Sequence, residues 1–266
     1  MSNYQANEKI NLQLIQNSLS TRYIGQTIYY REQLESTNTF AKQEANNLTD
    51  GCVVLCDIQS AGHGRMNRYW YSAPYKNINM SVIIKPNIQP QLAPRFTILS
   101  AVSLCEMLKD LGFDAQIKWP NDIIVNKRKV AGILLDCTIE GNIVKYVVAG
   151  IGINVNTAIF EGELSSKATS LYIECGVEHS REQLIAAILN TLERNIGSVY
   201  SSAGYESLMQ RYKDMSYVLG KTVTVLGISS QTEGEVIGFD EMGQIIIITK
   251  LGNIVTFNSG EISIKY

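Results

Sequence analysis

The stretch AQIKWPNDIIVNKRKVAGILLDCTIEGNIVKYVVAGIGINV, residues 115–155, decides the fold. It holds four apolar, β-branched runs, Ala115–Trp119, Asp122–Asn126, Val130–Thr138 and Ile143–Val155. The connections Asn126-Lys127-Arg128 and Glu140-Gly141-Asn142 have the length and residue types of hairpin turns. Runs joined this tightly pair antiparallel with their chain neighbours, because a parallel crossover needs about a dozen residues or more. The stretch predicts a mixed, largely antiparallel sheet and argues against a βαβ series.

Upstream, strands are expected at Ile28–Leu34, Cys52–Ile58 and Ile78–Lys85. Helices are expected at Glu8–Leu19, from a Ser36-Thr37 cap with Phe40, Ala41, Ala45 and Leu48 on one face, and at Ala93–Leu111 before Gly112. Downstream, helical spacing returns at Arg181–Tyr200 and Tyr205–Lys213. Beyond Gly220 the chain changes character. Val223, Val225, Val236, Ile245–Ile248, Ile254, Phe257 and Ile262 sit in short runs parted by Gly227, Gly234, Gly243, Gly252 and Gly260. That is the rhythm of a small β-barrel of about 50 residues. The fold class is therefore α+β, with one unit over residues 1–216 and a second over 217–266.

Composition narrows the function. The 266 residues are 45% hydrophobic and 18% charged, with a formal net charge of −2, which excludes a role resting on bulk charge. The N-terminus has no basic segment followed by an apolar one, and no run reaches membrane-spanning length, so a cytoplasmic protein is expected. Five scattered cysteines without a C-x-x-C pair, and two histidines without ligand-spaced cysteines, argue against zinc and disulfides. Cys52 and Cys56 read as small core residues on one strand face. Gly220-Lys221-Thr222 fails as a phosphate loop because Met215 stands where the first glycine is needed. Gly150-Ile151-Gly152 lacks the third glycine of a dinucleotide fingerprint.

The charge is segregated. Ile58 to Cys105 contains no acidic residue but carries Arg65, Arg68, Lys76, Lys85 and Arg95. Between Asp114 and Asp136, Asp122 alone opposes Lys118, Lys127, Arg128 and Lys129. Two such segments flanking strands suggest a pocket for an anion. The loop GHGRMNRYW, residues 62–70, fits that pocket: glycines admit backbone N–H groups to a phosphate and arginines supply forked donors. No helix is expected after it, so the loop should close over a ligand.

Four blocks in order carry a resemblance over nearly the whole chain. They are Glu35-Ser36-Thr37-Asn38, Gln59 through Trp70, Lys118-Trp119-Pro120-Asn121-Asp122, and Lys129-Val130-Ala131-Gly132-Ile133-Leu134. Gly150 through Asn156 and the ending Ser259-Gly260-Glu261 also fit. The chain resembles the biotin–protein ligases. The resemblance implies a biotin/lipoate ligase-like catalytic domain followed by an SH3-like barrel. It also implies a two-step reaction: biotin and ATP, with Mg2+, give biotinyl-5′-AMP and diphosphate, and the biotinyl group then passes to one lysine of a biotin carboxyl carrier protein domain.

The first step brings a carboxylate against a phosphate, and two unit charges 4 Å apart repel by about 4 kcal/mol at an effective dielectric near 20. Left uncompensated, that term costs about a thousandfold in rate. By resemblance Lys129 bridges the carboxylate and the phosphate, Arg65 clamps the same phosphate from the loop, and Asp122 either ligates Mg2+ or activates the acceptor lysine. The biotin site is implied at Ser36, Thr37, Asn38, Gln59, Gly62, His63, Gly64, Arg65, Lys129, Gly132 and Gly150. These supply hydroxyl, amide and backbone groups for a neutral ureido ring. Arg68, Trp70, Asn121 and Asn154 are expected on the nucleotide side, Trp70 either stacking near adenine or anchoring the loop.

Three positions depart from the family pattern: His63 is usually arginine, Asn67 usually glycine, and Asn79 often tyrosine. Histidine is mostly neutral at pH 7, so the loop has one permanent cation fewer. Only 35 residues precede Ser36, too few for the winged helix-turn-helix of roughly 60 that makes some relatives repressors, so no DNA binding is expected. Many relatives dimerise through the sheet edge, so the resemblance leaves a homodimer open as one option. A lipoate- or octanoate-handling enzyme and a non-catalytic biotin sensor are the alternatives. The first would leave Gln59 and the Ser36-Thr37-Asn38 cluster without a partner, and the second would have no use for Lys129 and Asp122.

Overall fold

A computed structural model describes residues 9–226, 231–258 and 260–264. Glu8, Gly227 and Ser259, and the side chain of Glu261, lie outside the described residues. In chain order the elements are α1 (Leu12–Ser18), β1 (Ile28–Leu34), α2 (Thr37–Glu44), β2 (Val53–Gln59), β3 (Ile78–Ile84) and α3 (Arg95–Asp110). Then come β4 (Ala115–Lys118), β5 (Asp122–Val125), β6 (Arg128–Glu140), β7 (Ile143–Ile153), α4 (Leu164–Lys167) and α5 (Leu171–Cys175). The chain continues with α6 (Arg181–Ile196), α7 (Ser202–Asp214), β8 (Thr222–Leu226), β9 (Gln231–Phe239), β10 (Ile245–Thr249), β11 (Ile254–Phe257) and β12 (Glu261–Ile264).

The first seven strands form one sheet in the order β1-β2-β3-β7-β6-β5-β4. Only β1 and β2 pair in parallel, and every other pairing is antiparallel. The β5–β6 turn explains the tightness of the hairpin. Asn126 and Lys127 both sit in the left-handed region, φ 49 and φ 67, so the turn twist matches that of the strands it joins. Strand β6 consequently begins at Arg128, two residues before the sequence expectation. Helix α1 is shorter than predicted, because Asn11 caps it by accepting from Gln13 N. The short helices α4 and α5 were not anticipated.

The two faces of this sheet are unlike. Leu55, Met80, Val82, Ile133 and Ile151 point to one side and pack with Phe96, Leu99 and Leu104 of α3 and with Leu184 and Ile188 of α6. Val54, Ile83, Tyr146 and Val148 point to the other and pack with Phe40 and Ala41 of α2, with Ala45 and Leu48 just after it, and with Tyr29 and Leu34 of β1. Helix α2 is two turns long and covers part of that face. Beyond its N-terminus the strand register lays out an uncovered row, Lys118–Asp122–Gly132–Gly152–Asn79. Paired residues share a face. The sheet there is floored by glycine and ends in charge.

Strands β8–β12 make a second, antiparallel sheet in the order β11-β10-β9-β8-β12, which fits an SH3-like barrel. Val223, Val225, Val236 and Ile245 are fully buried in it. It leans on the first unit through the edge-on contact of Tyr212 with Phe239, 5.2 Å between centroids, and through Trp119 Nε1, which donates to Gly243 O at 2.9 Å.

Candidate active site

The uncovered row opens into a cavity of about 410 Å³. Every residue predicted for the site lines it except Gly62, which is buried directly behind Gln59 and Trp70.

One end is neutral and tightly bonded. Ser36 caps α2 by accepting from Thr39 N. Thr37 N donates to Gln59 Oε1 at 2.9 Å, and Gln59 Nε2 donates in turn to Asn79 Oδ1 at 3.3 Å. Ser81 Oγ lies 2.8 Å from Thr37 Oγ1 and 2.7 Å from Asn38 Oδ1. Asn38 Nδ2 reaches across the sheet to Leu134 O at 3.2 Å and Asp136 Oδ2 at 3.0 Å. Such a network holds its polar groups in place before a ligand arrives. Two N–H donors, Asn79 Nδ2 and Trp70 Nε1, are buried without a partner among the described residues, and both side chains line the cavity. An orphaned buried donor costs about 1–3 kcal/mol, so these two call for a ligand acceptor.

The glycine floor is a matter of contact distance. A Cβ on Gly152 would stand 2.6 Å from the Trp70 indole, one on Gly132 3.1 Å from Lys129 Nζ, and one on Gly150 2.1 Å from Asn38 Oδ1. Trp70 therefore lies on bare backbone, with its ring also lining the cavity.

The other end is charged. Arg65, Arg68, Lys118, Lys127, Lys129 and Lys167 line the cavity, while Asp122 is the only carboxylate among its described lining residues. Lys129 Nζ is 2.5 Å from Asp122 Oδ1 and 5.2 Å from the Trp70 ring centroid, with the two charged side chains about a third and a quarter exposed. The surplus of cations suits a phosphate-bearing ligand.

The 62–70 loop is a small hairpin and not an open coil. Trp70 N donates to Gly62 O, Gly64 N to Arg68 O, and His63 pairs with Tyr69. Its tip puts Met66 and Asn67 at φ 56 and φ 55, in a single turn of 3-10 helix over Arg65–Asn67. Asparagine is among the few non-glycine residues that tolerate this region, which accounts for Asn67 at a position that is usually glycine.

Asn121 and Asn154, expected beside the nucleotide, spend their amides on the chain itself. Asn121 Nδ2 donates to Ile133 O at 2.5 Å, and Asn154 Nδ2 donates to Thr169 O at 3.0 Å. Sequence reasoning missed Gly152, Tyr71, Phe160, Lys167 and Ile262 as lining residues. Gly152 had a signal in the glycine run it shares with Gly150. Phe160 and Lys167 lie in a segment without periodicity, and Ile262 arrives only because the second sheet packs against the first.

The profile of the Biotin/lipoate A/B protein ligase family matches residues 30–154. The chain is 34% identical over 238 residues to the Bifunctional ligase/repressor BirA of Bacillus subtilis (strain 168), an alignment spanning 88% of this chain and 73% of that one. It is 28% identical over 219 residues to the biotin–[acetyl-CoA-carboxylase] ligase of Paracoccus denitrificans, covering 80% of this chain and 90% of that one. Among solved structures, the biotin protein ligase from Aquifex aeolicus in complex with biotin and ATP superposes with a TM-score of 0.77 at 26% identity, covering 90% of this chain and 99% of the other.

Proposed function

This chain belongs to the biotin/lipoate A/B protein ligase family, among its biotin–protein ligases, and we infer from that premise and from the site how it works. It activates biotin with ATP to biotinyl-5′-AMP and transfers the biotinyl group to a lysine of a biotin carboxyl carrier protein domain. The observation that carries the reading is the lining of the cavity: fixed neutral donors and acceptors near α2, a glycine floor, and six cations against a single carboxylate, with Lys118 and Lys129 beside that carboxylate. A neutral bicyclic head with a carboxylate tail, followed by a nucleotide, has that distribution of charge.

In the first step a biotin carboxylate oxygen attacks the α-phosphorus, the bond to the β-phosphate oxygen breaks, and diphosphate leaves. Lys129 lies over Gly132 beside Asp122, where its ammonium would screen carboxylate from phosphate. Arg65, on the hairpin tip, would hold the phosphate from the opposite side. Asp122 holds Lys129 through Oδ1. A lone carboxylate fits Mg2+, which takes one or two carboxylates and fills its remaining positions with phosphate oxygens and water. Bound with ATP, the ion would neutralise charge on the departing diphosphate, and Asp122 is the residue that would hold it. In the second step the neutral acceptor amine attacks the acyl carbon, the bond to the phosphate oxygen breaks, AMP leaves, and the nitrogen gives up one proton to water as the amide forms. Gln59, Asn79 and the Ser36–Asn38 turn would fix the ureido ring throughout. We place the work in the cytoplasm; no helix among the described residues is long and apolar enough to cross a membrane.

Biotin-dependent exchange of labelled diphosphate into ATP, followed by labelling of a purified carrier domain, tests this reading. Exchange with biotin and none with lipoate or octanoate is expected. Equal exchange with lipoate, or biotin binding with no exchange, would overturn it.

A further inference from the structure

Glu174, on the five-residue α5, does not line the cavity, and no motif in the sequence marks it. Its side chain is only 4% exposed, and three donors converge on its carboxylate. Oε1 accepts from Arg128 Nη2 at 2.8 Å and from Thr169 Oγ1, and Oε2 accepts from Asn126 Nδ2 at 2.5 Å. Those donors belong to the two chain segments that enclose Lys129. Asn126 and Arg128 are the β5–β6 turn leading directly into it. Thr169 belongs to the segment running beside it: Thr169 N donates to Lys129 O at 2.9 Å, and Ala168 forms a parallel bridge with Lys129.

The turn needs such support. Two consecutive non-glycine residues in the left-handed region are held there only when their surroundings over-determine them. Lys129 follows this turn, and its side chain must stay in a narrow slot over Gly132, beside Asp122 and below Trp70. A carboxylate is the one side-chain group able to accept from a guanidinium, an amide and a hydroxyl together while offsetting the guanidinium charge.

We propose that Glu174 is a positioning residue for Lys129: it clamps the β5–β6 turn to the 168–170 segment and so fixes where the Lys129 ammonium stands during adenylate formation. The proposal rests on the reading of Lys129 as the bridging cation. It also gives the neighbouring cation a task of its own, since Arg128 faces Glu174 while Lys129 faces the cavity.

The test is the single-turnover rate of biotinyl-adenylate formation in E174Q, K129A and the double variant, with thermal melts alongside. E174Q removes the charge that offsets the Arg128 guanidinium and puts an N–H where Oε2 accepts from Asn126, so the Asn126 amide must turn over to meet it, whereas adding N126D supplies an acceptor there without that turn. We expect E174Q to slow adenylation about 10- to 100-fold, the effect of misplacing a reacting group by about 1 Å, and N126D to recover most of that loss. In the K129A background E174Q should add less than about twofold, because residues acting through one another are not additive. If E174Q fails to fold, N126A, which removes one donor of three, carries the same comparison. Full additivity in the K129A background, or an unchanged E174Q rate beside a slow K129A, overturns the role of Glu174 alone. A normal rate in K129A overturns the underlying reading of Lys129, and this proposal with it.

Discussion

Lys129 Nζ stands 2.5 Å from Asp122 Oδ1, with its side chain laid over Gly132, where a Cβ would come within 3.1 Å of it. The ammonium is thus placed and partly neutralised before substrates enter. K129A should lower biotin-dependent diphosphate exchange about a thousandfold, the rate equivalent of ~4 kcal/mol of unscreened repulsion. A rate within about tenfold of the parent would show that the remaining cations suffice.

The glycine floor makes a steric prediction. Asn38 is held by Ser81, Leu134 and Asp136 and cannot retreat from a Cβ at position 150, which would lie 2.1 Å away. Gly150→Ala should destabilise by about 1–3 kcal/mol, a fall in Tm of roughly 2–10 °C, and weaken biotin binding. Gly197→Ala, where nothing lies within 4 Å of the new atom, is the control and should melt within about 2 °C of the parent.

Asn79 supplies a donor that nothing in the described protein accepts. Asn79→Ala should raise the biotin KM by about 5- to 150-fold, equivalent to ~1–3 kcal/mol, and leave the ATP KM almost unchanged. A parallel rise in both constants would mean that the side chain supports the cavity as a whole.

His63 lines the cavity with its Nδ1 3.3 Å from Ala61 O. His63→Arg restores a permanent cation to the hairpin and should slow dissociation of biotinyl-5′-AMP by about tenfold, as a charge-assisted hydrogen bond would. An unchanged off-rate would remove His63 from the account of adenylate retention.

A further prediction concerns stability and pH. Burial alone would push the Glu193 carboxyl up, but three backbone N–H groups, of Arg22, Tyr23 and Ile24, donate to it, and their net effect holds it below the ordinary carboxylate range. A depressed folded-state pKa stabilises above the unfolded value, about 4.3, and the gain is lost as pH falls through the folded value. Glu193→Gln should therefore melt below the parent at pH 7, with the gap closing as the pH drops below about 4. A gap independent of pH would assign the loss to geometry instead of charge.

The limits of the sequence reading follow the range of the forces involved. Alternation and tight turns act over a few residues, so the hairpins, the Ser36 cap and the glycine blocks were legible in the chain. The segment 156–180 has no periodicity and so carries no local signal, yet it supplies Phe160 and Lys167 to the cavity and Thr169, whose N donates to Lys129 O. Asn121 and Asn154 line the cavity, but the backbone carbonyls of Ile133 and Thr169 that take their amide N–H groups come from distant parts of the chain, and no local pattern announces such contacts.

The sequence by itself determined an antiparallel hairpin series, a second β unit, a basic stretch without carboxylates, and a motif order that resembles one family. These depend on local pattern and residue type. Only the tertiary structure decided which face of the sheet stays open, that Lys118, Asp122, Gly132, Gly152 and Asn79 fall in one row, and that Arg128 turns away while Lys129 turns in. Those are consequences of strand register and of how far a two-turn helix reaches. Both are set when distant segments pack, and neither is written in the neighbourhood of any single residue.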